Sequence, residues 1–321
     1  MIHIRAVSPP ETTPRLVASL ERSSGVLNVI VLLGVVRNPD GDAVQFDVIN
    51  AQANEVVREL RTLGVDRGGS IVIEDVGTEL SDRVTRAEAR VPRALNFTPV
   101  WEEAEARIRA GGRYPPSWFV LLAIAGLIAA VGIFTNSQIL IVGAMVVGPE
   151  YAAIISVALG IDTNDRGRVR SGSGALFLGF LLASVATLVF GLVVRAFGWQ
   201  PEAFSLGVRP VSDLIDSPNV FSVVVATLAG VVGVVSLVEA RSGALIGVFI
   251  SVTTIPAAAD IGVSCAFENW SEARGSLIQL LLNVAILIAV GAAGLVLQQR
   301  LWRRVGRRAT RRRATKNGPQ A

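Results

Sequence analysis

The sequence predicts an α-helical multi-pass membrane protein with six spans, preceded by an N-terminal α+β soluble domain of the ferredoxin-like type. Two bulk observations favour the membrane part: 51% of the 321 residues are apolar with a mean hydropathy of +0.53, and only 17% are charged. Soluble domains average about 25% charged residues. The third observation is positional, because long apolar stretches begin only at Trp118 and the first residues of the chain alternate as strands do.

Residues 1–80 have the pattern of a small soluble domain. MIHIRAV, DAVQFDVIN and SIVIEDV have the character of strands, and VLNVIVLLGVV is rich in β-branched residues. The tetrapeptide Asn38–Gly41 indicates a turn between two extended stretches. Two stretches with helical periodicity lie among the strands, with apolar faces formed by Leu16, Val17 and Leu20 and by Val56, Val57, Leu60 and Leu63. The resulting order βαββαβ is that of the ferredoxin-like fold.

A charged linker and a basic tail flank the apolar region. Residues 81–117 predict two amphipathic helices, split by Pro92 and Pro99. Residues 299–321 form the tail, in which residues 300–321 carry eight Arg, Lys316 and no acid. The basic character of the chain therefore comes from a tail and not from a folded face, whereas nucleic-acid-binding domains carry a basic face. We expect no nucleic-acid partner.

Six apolar stretches follow one another through residues 118–298, and a span needs about 20 such residues. They are residues 118–134, 137–161, 173–197, 219–238, 242–264 and 276–298. Arginines follow the second, fourth and sixth stretches, so the positive-inside rule predicts both chain termini on the cytoplasmic side of the plasma (cell inner) membrane. The lipid bilayer is then the expected partner, and the basic tail is expected to attract anionic lipid headgroups.

The second and fifth stretches share a pattern. Each begins with Ser and small or apolar residues, and each carries a proline followed by small residues at a similar depth, Pro149 and Pro256. One interpretation is an inverted 3+3 repeat, in which two units of three spans take opposite orientations, as in many transporters. The alternative is chance similarity among apolar segments.

Pro149 and Glu150 stand about 20 Å along the second stretch, at 1.5 Å per helical residue. A charged group at such depth costs at least about 2.5–3.5 kcal/mol on insertion scales, and the proline leaves carbonyl groups without their helical partners. The pair predicts either a hydrated cavity on the path of a solute or ion, or a kinked helix whose glutamate bonds a neighbouring span. The candidate path residues are Gly148, Pro149, Glu150, Pro256, Asp260 and Asn283.

The chain has one cysteine, Cys265, and one histidine, His3. A disulfide within the chain is thereby excluded, and so is a zinc site built from Cys and His ligands of one chain. A phosphate-binding P-loop is absent, and no dinucleotide-binding glycine motif follows a predicted strand. We expect no cofactor, no metal site and no enzymatic activity.

Residues 118–161 resemble the hallmark region of a family of bacterial and archaeal membrane proteins known as domain of unknown function 389. The resemblance rests on the small-residue first span, the Asn136–Ser137 turn, the IVGAM run and the Gly-Pro after it, and the VWEE segment at residues 100–103 is similar as well. It covers roughly residues 97–300 and is most specific around VGAMVVGP. It implies a multi-pass integral membrane protein and supplies neither a substrate nor catalytic residues.

Two functions stay open from the sequence. In the first, the protein is a transporter or channel for a small solute or ion, with a cytoplasmic regulatory domain; the intramembrane Pro-Glu pair favours it. In the second, it is a membrane-anchored sensor or scaffold whose N-terminal domain binds a ligand or self-associates, which would make the protein a homo-oligomer. The predicted ferredoxin-like domain favours the second.

Overall fold

A computed structural model of the chain describes residues 1–76, 79–92, 95–96, 99–207, 215–217, 219–238 and 254–316, with side chains up to residue 301. The chain divides into two compact units. One comprises Met1–Ala104 and Gln299–Ala321, and the other comprises Glu105–Gln298.

The first unit begins with a four-stranded antiparallel sheet. Its elements are β1 (Ile2–Ser8), α1 (Thr13–Arg22), β2 (Val26–Arg37), β3 (Asp40–Val48), α2 (Asn50–Thr62), the short α3 (Val65–Gly68) and β4 (Ser70–Asp75). The strand order across the sheet is β2-β3-β1-β4, with every neighbouring pair antiparallel. The predicted element order βαββαβ is confirmed, with α3 as an addition, and the Asn38–Gly41 turn joins β2 to β3.

Alternation along the strands builds the core of this sheet. Ile2, Ile4 and Ala6 of β1 are buried, whereas Arg5 between them is exposed. These side chains form one apolar cluster with residues of the two helices, namely Leu16, Leu20, Val56, Val57 and Leu60. The predicted helix faces are confirmed except at Val17 and Leu63, which are only partly buried.

The two predicted helices of the linker are present as α4 (Asp82–Ala89) and α5 (Trp101–Gly111). Ser81 caps α4, since its hydroxyl accepts a hydrogen bond from the backbone N–H of Val84. The side chain of Asn54 holds the residues before α5: it donates to the Pro99 carbonyl over 2.8 Å and accepts from the Trp101 N–H over 3.0 Å.

The second unit is helical and rich in apolar surface. Its helices are α6 (Pro116–Phe134), α7 (Gln138–Val147), α8 (Glu150–Asp162), α9 (Arg166–Phe197), the short α10 (Glu202–Ser205), α11 (Val220–Val238), α12 (Thr254–Ala266) and α13 (Trp270–Lys316), which continues into the tail. Large apolar side chains stay exposed on their outer sides; Phe177 is 72% and Phe221 is 78% exposed. Apolar surface of this extent indicates a membrane protein.

Within the part of the chain that the structure describes, four helices are long and apolar enough to cross a membrane: α6, α9, α11 and α13. The predicted second span, residues 137–161, is not one straight helix but the pair α7 and α8, bent by 52°, which makes a fifth candidate. Of the predicted fifth span, only α12 (Thr254–Ala266) belongs to the described residues. Residues 242–253 of that span lie outside the described residues. The described residues therefore contain up to five candidate spans, compared with the six predicted.

The third and sixth predicted spans begin earlier than expected, at Arg166 and Trp270 rather than at residues 173 and 276. The third starts there because Asp165 caps the helix, its Oδ1 accepting the backbone N–H of Arg168 over 3.0 Å. Hydropathy alone places a boundary where apolar residues begin, whereas the cap places it where the backbone can start a helix.

Candidate functional site

The break between α7 and α8 has a defined geometry. Gly148 is extended, with φ −71° and ψ 134°, and Pro149 is the N-cap of α8. The indole of Trp118, near the start of α6, donates a hydrogen bond of 3.3 Å to the Pro149 carbonyl. The predicted helix break at Pro149 is thus present, and the carbonyl at the break is bonded by a side chain from another helix.

Glu150 is the first residue of α8 and is only 4% exposed. Its Oε1 accepts a hydrogen bond of 2.8 Å from the hydroxyl of Thr254, the first residue of α12. Its Oε2 has no hydrogen-bond partner among the residues that the structure describes. Within the described residues the carboxylate is therefore buried with one oxygen bonded, and this bond joins the start of α8 to α12.

The absent side chain of Gly148 makes room at this contact. A methyl group on Gly148 would overlap both Cδ1 of Ile255 and Oε2 of Glu150. Gly143, one helical turn or so earlier in α7, has open space at the same position. Gly148 was predicted as a path residue, and in the structure its backbone lies against the carboxylate and the start of α12.

Contacts along α9 locate the start of α8. Gly160, near the end of α8, lies beside Val169, and Val157 lies beside Gly172. Residue numbers thus fall along α8 as they rise along α9, so the two helices are antiparallel. The N-terminus of α8 consequently points toward the middle of α9.

The start of α12 is located in the same way. Ser184 of α9 donates to the Ala258 carbonyl over 2.7 Å, and Arg195 donates to the Ala266 carbonyl over 2.8 Å. Residue numbers rise together, so α12 is parallel to α9. Its N-terminus also points toward the middle of α9, and the two helices meet there end to end at the Glu150–Thr254 hydrogen bond, which we call the junction.

Pro256 is the third described residue of α12 and is buried. Because Pro149 directly precedes Glu150, a proline lies within two residues of each partner of the junction hydrogen bond. Whether Pro256 interrupts a longer helix concerns residues outside the described ranges.

Asp260 belongs to a neighbouring cluster and not to the junction. It is fully buried, and its Oδ2 accepts hydrogen bonds from Ser276 at 2.6 Å and from Ser264 at 3.4 Å. The carboxylate is thus enclosed between α12 and α13. It stands six residues beyond Thr254, almost two helical turns away.

Asn283 is buried on α13 and accepts a hydrogen bond of 3.2 Å from Gln279. Ser276 of α13 bonds Asp260 of α12, and Gly291 of α13 lies beside Ala158 of α8. Gln279 and Asn283 therefore lie along α13 between the residue that contacts α12, Ser276, and the residue that contacts α8, Gly291.

Asp165 and Tyr114, both outside the spans, have shifted pKa values. The backbone N–H of Arg168 holds the pKa of the Asp165 carboxyl below its usual range, and burial raises the pKa of the Tyr114 phenol. No group of three or more His, Cys, Asp or Glu that could hold a metal ion occurs in the described ranges.

Sequence reasoning singled out Glu150 but not its partner. Thr254 is not among the predicted path residues, because a hydroxyl near a proline does not by itself indicate a contact. Trp118 is not among them either, although it is 6% exposed and its indole bonds the Pro149 carbonyl at the break. Both contacts join residues far apart in the chain, for which a single sequence carries no direct signal.

Comparison with known proteins places the junction within a family segment. Residues 145–289 match the family described as Domain of unknown function (DUF389), which confirms the resemblance predicted from the sequence. An uncharacterised protein of Methanocaldococcus jannaschii is 22% identical over 178 residues, 56% of this chain and 52% of that relative. The chain thus spans about half the length of that relative. No solved structure matches the chain.

Proposed function

We propose that this membrane protein is a transporter or channel for a small solute or ion, and that its path runs through the junction. The observation that carries the proposal is the buried carboxylate of Glu150 at the start of α8, which within the described residues is bonded on one oxygen only, by Thr254 of α12. Transporters commonly bind substrate near the bilayer midplane, at the ends of helices that stop part-way through the membrane.

The free-energy cost of this arrangement supports a role in function. An ionisable group inside the bilayer costs at least about 2.5–3.5 kcal/mol on insertion scales, and helix ends there leave backbone groups to be satisfied. An apolar helix packed without a break would avoid both costs. An arrangement that keeps them is expected where the protein must contact a polar species at that depth.

The spacing of the helices supports the inverted 3+3 repeat. The helices α6 and α11 start at residues 116 and 220, α8 and α12 at 150 and 254, and α9 and α13 at 166 and 270, a constant offset of 104 positions. The counterpart of α7 would begin near residue 242, outside the described residues.

Contacts repeat with the same offset. Gly262 of α12 packs on Thr187 of α9, and the positions 104 residues from these, Ala158 of α8 and Gly291 of α13, pack on each other as well. The contact of α6 with α9 and that of α11 with α13 follow the same rule, with the pairs Gly126–Ala183 and Gly230–Leu287. If a two-fold axis relates two units, each contact between them occurs twice, with the roles of the two units exchanged.

The junction lies where such an axis would pass. Glu150 and Thr254 are themselves 104 positions apart, so they would be counterparts that touch each other. In a two-fold arrangement a residue meets its own counterpart only at the axis. The Glu150–Thr254 contact between α8 and α12 would then mark the centre of the repeat, where inverted-repeat transporters bind substrate.

The rest of the predicted organisation belongs to this proposal. Six spans with both termini cytoplasmic would place the sheet domain as a regulatory domain on the same side as the basic tail. Residues 300–321, with eight Arg and Lys316, would contact anionic lipid headgroups of the plasma membrane. The helical course of α13 through Lys316 would carry these charges directly out from the last span.

Reconstitution of the full-length protein into liposomes tests the proposal. We expect flux of at least one species in a survey of protons, alkali cations, halides, small carboxylates and amino acids. Glu150→Gln and Gly148→Ala should alter that flux strongly, and Gly143→Ala should leave it unchanged because Gly143 faces open space. Absence of flux for every species, together with Glu150→Gln behaving as wild type in cells, would contradict it.

The sensor or scaffold function is favoured by one observation, the edge strand β2. It is a terminal strand of the sheet, and Ile30, Leu33 and Val35 are 50%, 71% and 51% exposed. A long apolar edge strand tends to pair with another chain, which suits self-association. If so, Leu33→Lys should lower the oligomeric mass of the detergent-solubilised full-length protein in light scattering, and an unchanged mass would remove this support.

A further inference from the structure

We propose that a group of phenylalanine side chains closes the outer end of the path, and that Phe204 is the part of this closure that moves. The group, which we call the outer cluster, consists of Phe134 at the end of α6, Phe190 on α9, Phe204 on α10 and Phe267 after α12. This inference rests on the proposed function, in which the path runs through the junction, and it names how one end of that path is closed.

The two helices of the junction lead to opposite surfaces of the membrane. Because α8 is antiparallel to α9 and α12 is parallel to it, α8 ends beside the start of α9 and α12 ends beside its end. With both termini cytoplasmic, as proposed, the end of α8 at Asp162 would lie on the inner side and the end of α12 at Ala266 on the outer side. The turn that follows each helix then lies at one end of the path.

These two turns have the same backbone. Asn164 and Glu268 each stand two residues beyond their helix, 104 positions apart, and both are left-handed, with φ 55° and 62°. The hydrogen bond that closes each turn runs over 2.8 Å to the carbonyl five positions earlier, from the N–H of Asp165 in one turn and of Asn269 in the other. The two turns therefore differ in their side chains and not in their main-chain geometry.

Aromatic rings fill the space at the outer turn. Phe204 is 1% exposed, and its ring centroid lies 4.9 Å from that of Phe134 and 5.0 Å from that of Phe267. The Phe134 ring also contacts Phe267 at 5.8 Å and Phe190 at 6.0 Å. All these contacts are edge-to-face, an arrangement that aromatic rings prefer. Phe204 thus places an apolar plug between the end of α6 and the turn after α12, where a polar solute would have to pass.

The sequence repeats no aromatic residue at the inner end. Three positions of the outer cluster have counterparts 104 residues away in the other half, and none of these is aromatic: Phe267, Phe134 and Phe190 correspond to Thr163, Val238 and Gly294. The fourth position is on α10, in the connection between the halves. An inverted repeat by itself would make the two ends equivalent, so the outer cluster gives the outer end an opening step of its own.

Phe204 can leave the cluster while the spans stay in place. It lies on a helix of four residues beyond Gly198, which ends α9 with φ 62°. Glycine exchanges such a conformation for others without strain, and a few residues of this kind absorb the backbone change of a moving segment. The end of α12 is held separately, because Arg195 of α9 donates to the Ala266 carbonyl over 2.8 Å and pairs with Glu268 at 2.9 Å.

Labelling of a thiol at the junction from each side of the membrane tests the inference. Thr254→Cys in a Cys265→Ser background supplies the thiol, since Cys265 is the only native cysteine. A membrane-impermeant methanethiosulfonate reaches it from outside in intact cells and from inside in inverted vesicles, and mass spectrometry measures the initial rate. We expect Phe204→Ala to raise the outer rate about tenfold or more, because a rarely populated open state becomes common, and to leave the inner rate unchanged.

Phe197→Ala is the matched control. Phe197 also belongs to α9, but it is 66% exposed and stacks on Trp199 outside the outer cluster, so both rates should equal those of the parent. Phe204→Leu keeps a large apolar side chain and should raise the outer rate less than Phe204→Ala does, which preserves the test if the alanine variant does not fold. Unchanged outer rates in the Phe204 variants, an equal rise from both sides, or a rise from the inner side alone would overturn the proposal.

The failure of this inference and the failure of the proposed function can be told apart. Flux that depends on Glu150, with an outer labelling rate that Phe204→Ala does not change, would keep transport and discard the outer cluster as its closure. A faster outer rate in Phe204→Ala without flux of any species would keep the moving closure and discard transport.

Discussion

Thr254 donates its hydroxyl to the carboxylate of Glu150 over 2.8 Å, and the two residues are 104 positions apart in the chain. The same offset separates the starts of α8 and α12, of which these are the first residues. One hydrogen bond thus joins the ends of two helices at the depth where the apolar surroundings make each lost polar contact costly. Substitutions at this contact and around it lead to the following expectations.

Thr254→Val should destabilise the protein by about 1–3 kcal/mol, since it removes the donor and leaves a buried acceptor unsatisfied. Thr227→Val is the matched control, because Thr227 lies on α11 and bonds a carbonyl of its own helix; its effect should stay within about 0.5 kcal/mol. Equilibrium unfolding in detergent measures both. Equal stability of the two variants would mean that the Glu150–Thr254 bond contributes nothing.

Gly148→Ala should destabilise the protein by about 1–3 kcal/mol, as expected for overpacking. The added methyl group overlaps Ile255 and the Glu150 carboxylate, so one of them must move. Gly143→Ala adds the same group to open space and should be neutral or stabilising by up to about 1 kcal/mol, since alanine favours helix more than glycine does. The prediction is wrong if the two variants unfold at the same denaturant concentration.

Gly262→Ala should cost at least about 1–3 kcal/mol and more than Gly148→Ala. Its methyl group would overlap Thr187, the Ser184 carbonyl and the Leu188 N–H, and two of these are backbone atoms that cannot rotate away. Gly174→Ala serves as the control, because Gly174 lies on α9 and no described atom lies within 4 Å of the added methyl group. Thermal unfolding of the two variants side by side checks the close approach of α12 to α9, and equal midpoints would contradict that approach.

Asp165→Ala should lower stability at neutral pH and lose that effect in acid. The hydrogen bond from the Arg168 N–H keeps the pKa of Asp165 below its usual 3.8. A depressed folded-state pKa stabilises above the unfolded value, and the contribution disappears as the pH falls through the folded value. Melting curves from neutral pH to about pH 3 should show the gap between wild type and variant closing.

Asp165→Asn provides the control for this pH dependence. Asparagine caps a helix about as well as aspartate but does not titrate, so its melting temperature should lie near that of wild type at neutral pH. A gap between wild type and Asp165→Ala that stays constant across the whole range would show that ionisation of Asp165 has no part in the stability of the α8–α9 turn.

The features that follow from local chemistry were predictable. The alternation of Ile2, Ile4 and Ala6 indicated a half-buried strand, and they are buried. The Gly-Pro at residues 148–149 indicated a helix break, and α7 and α8 are bent there by 52°. These predictions held because the alternation of a strand, the missing N–H of proline and the length of an apolar stretch each determine structure within a few residues of the chain.

The features that depend on packing were not predictable from the residues alone. Asp260 is enclosed, because Ser264 and Ser276 from two helices surround it, and its place in the sequence does not indicate these partners. The ferredoxin-like assignment of the sheet domain and the six-span topology stay predictions.

The order of amino acids is enough to predict where helices and strands occur, that the chain is a membrane protein, and that a carboxylate follows a helix break inside an apolar segment. Hydropathy, periodicity and the geometry of proline and glycine act locally, so they can be read along the chain. Packing alone decided that Glu150 meets Thr254, that Trp118 bonds the Pro149 carbonyl and that α8 and α12 point at each other along α9. Those contacts join distant residues, and they exist only once apolar burial has brought the helices to their final distances and angles.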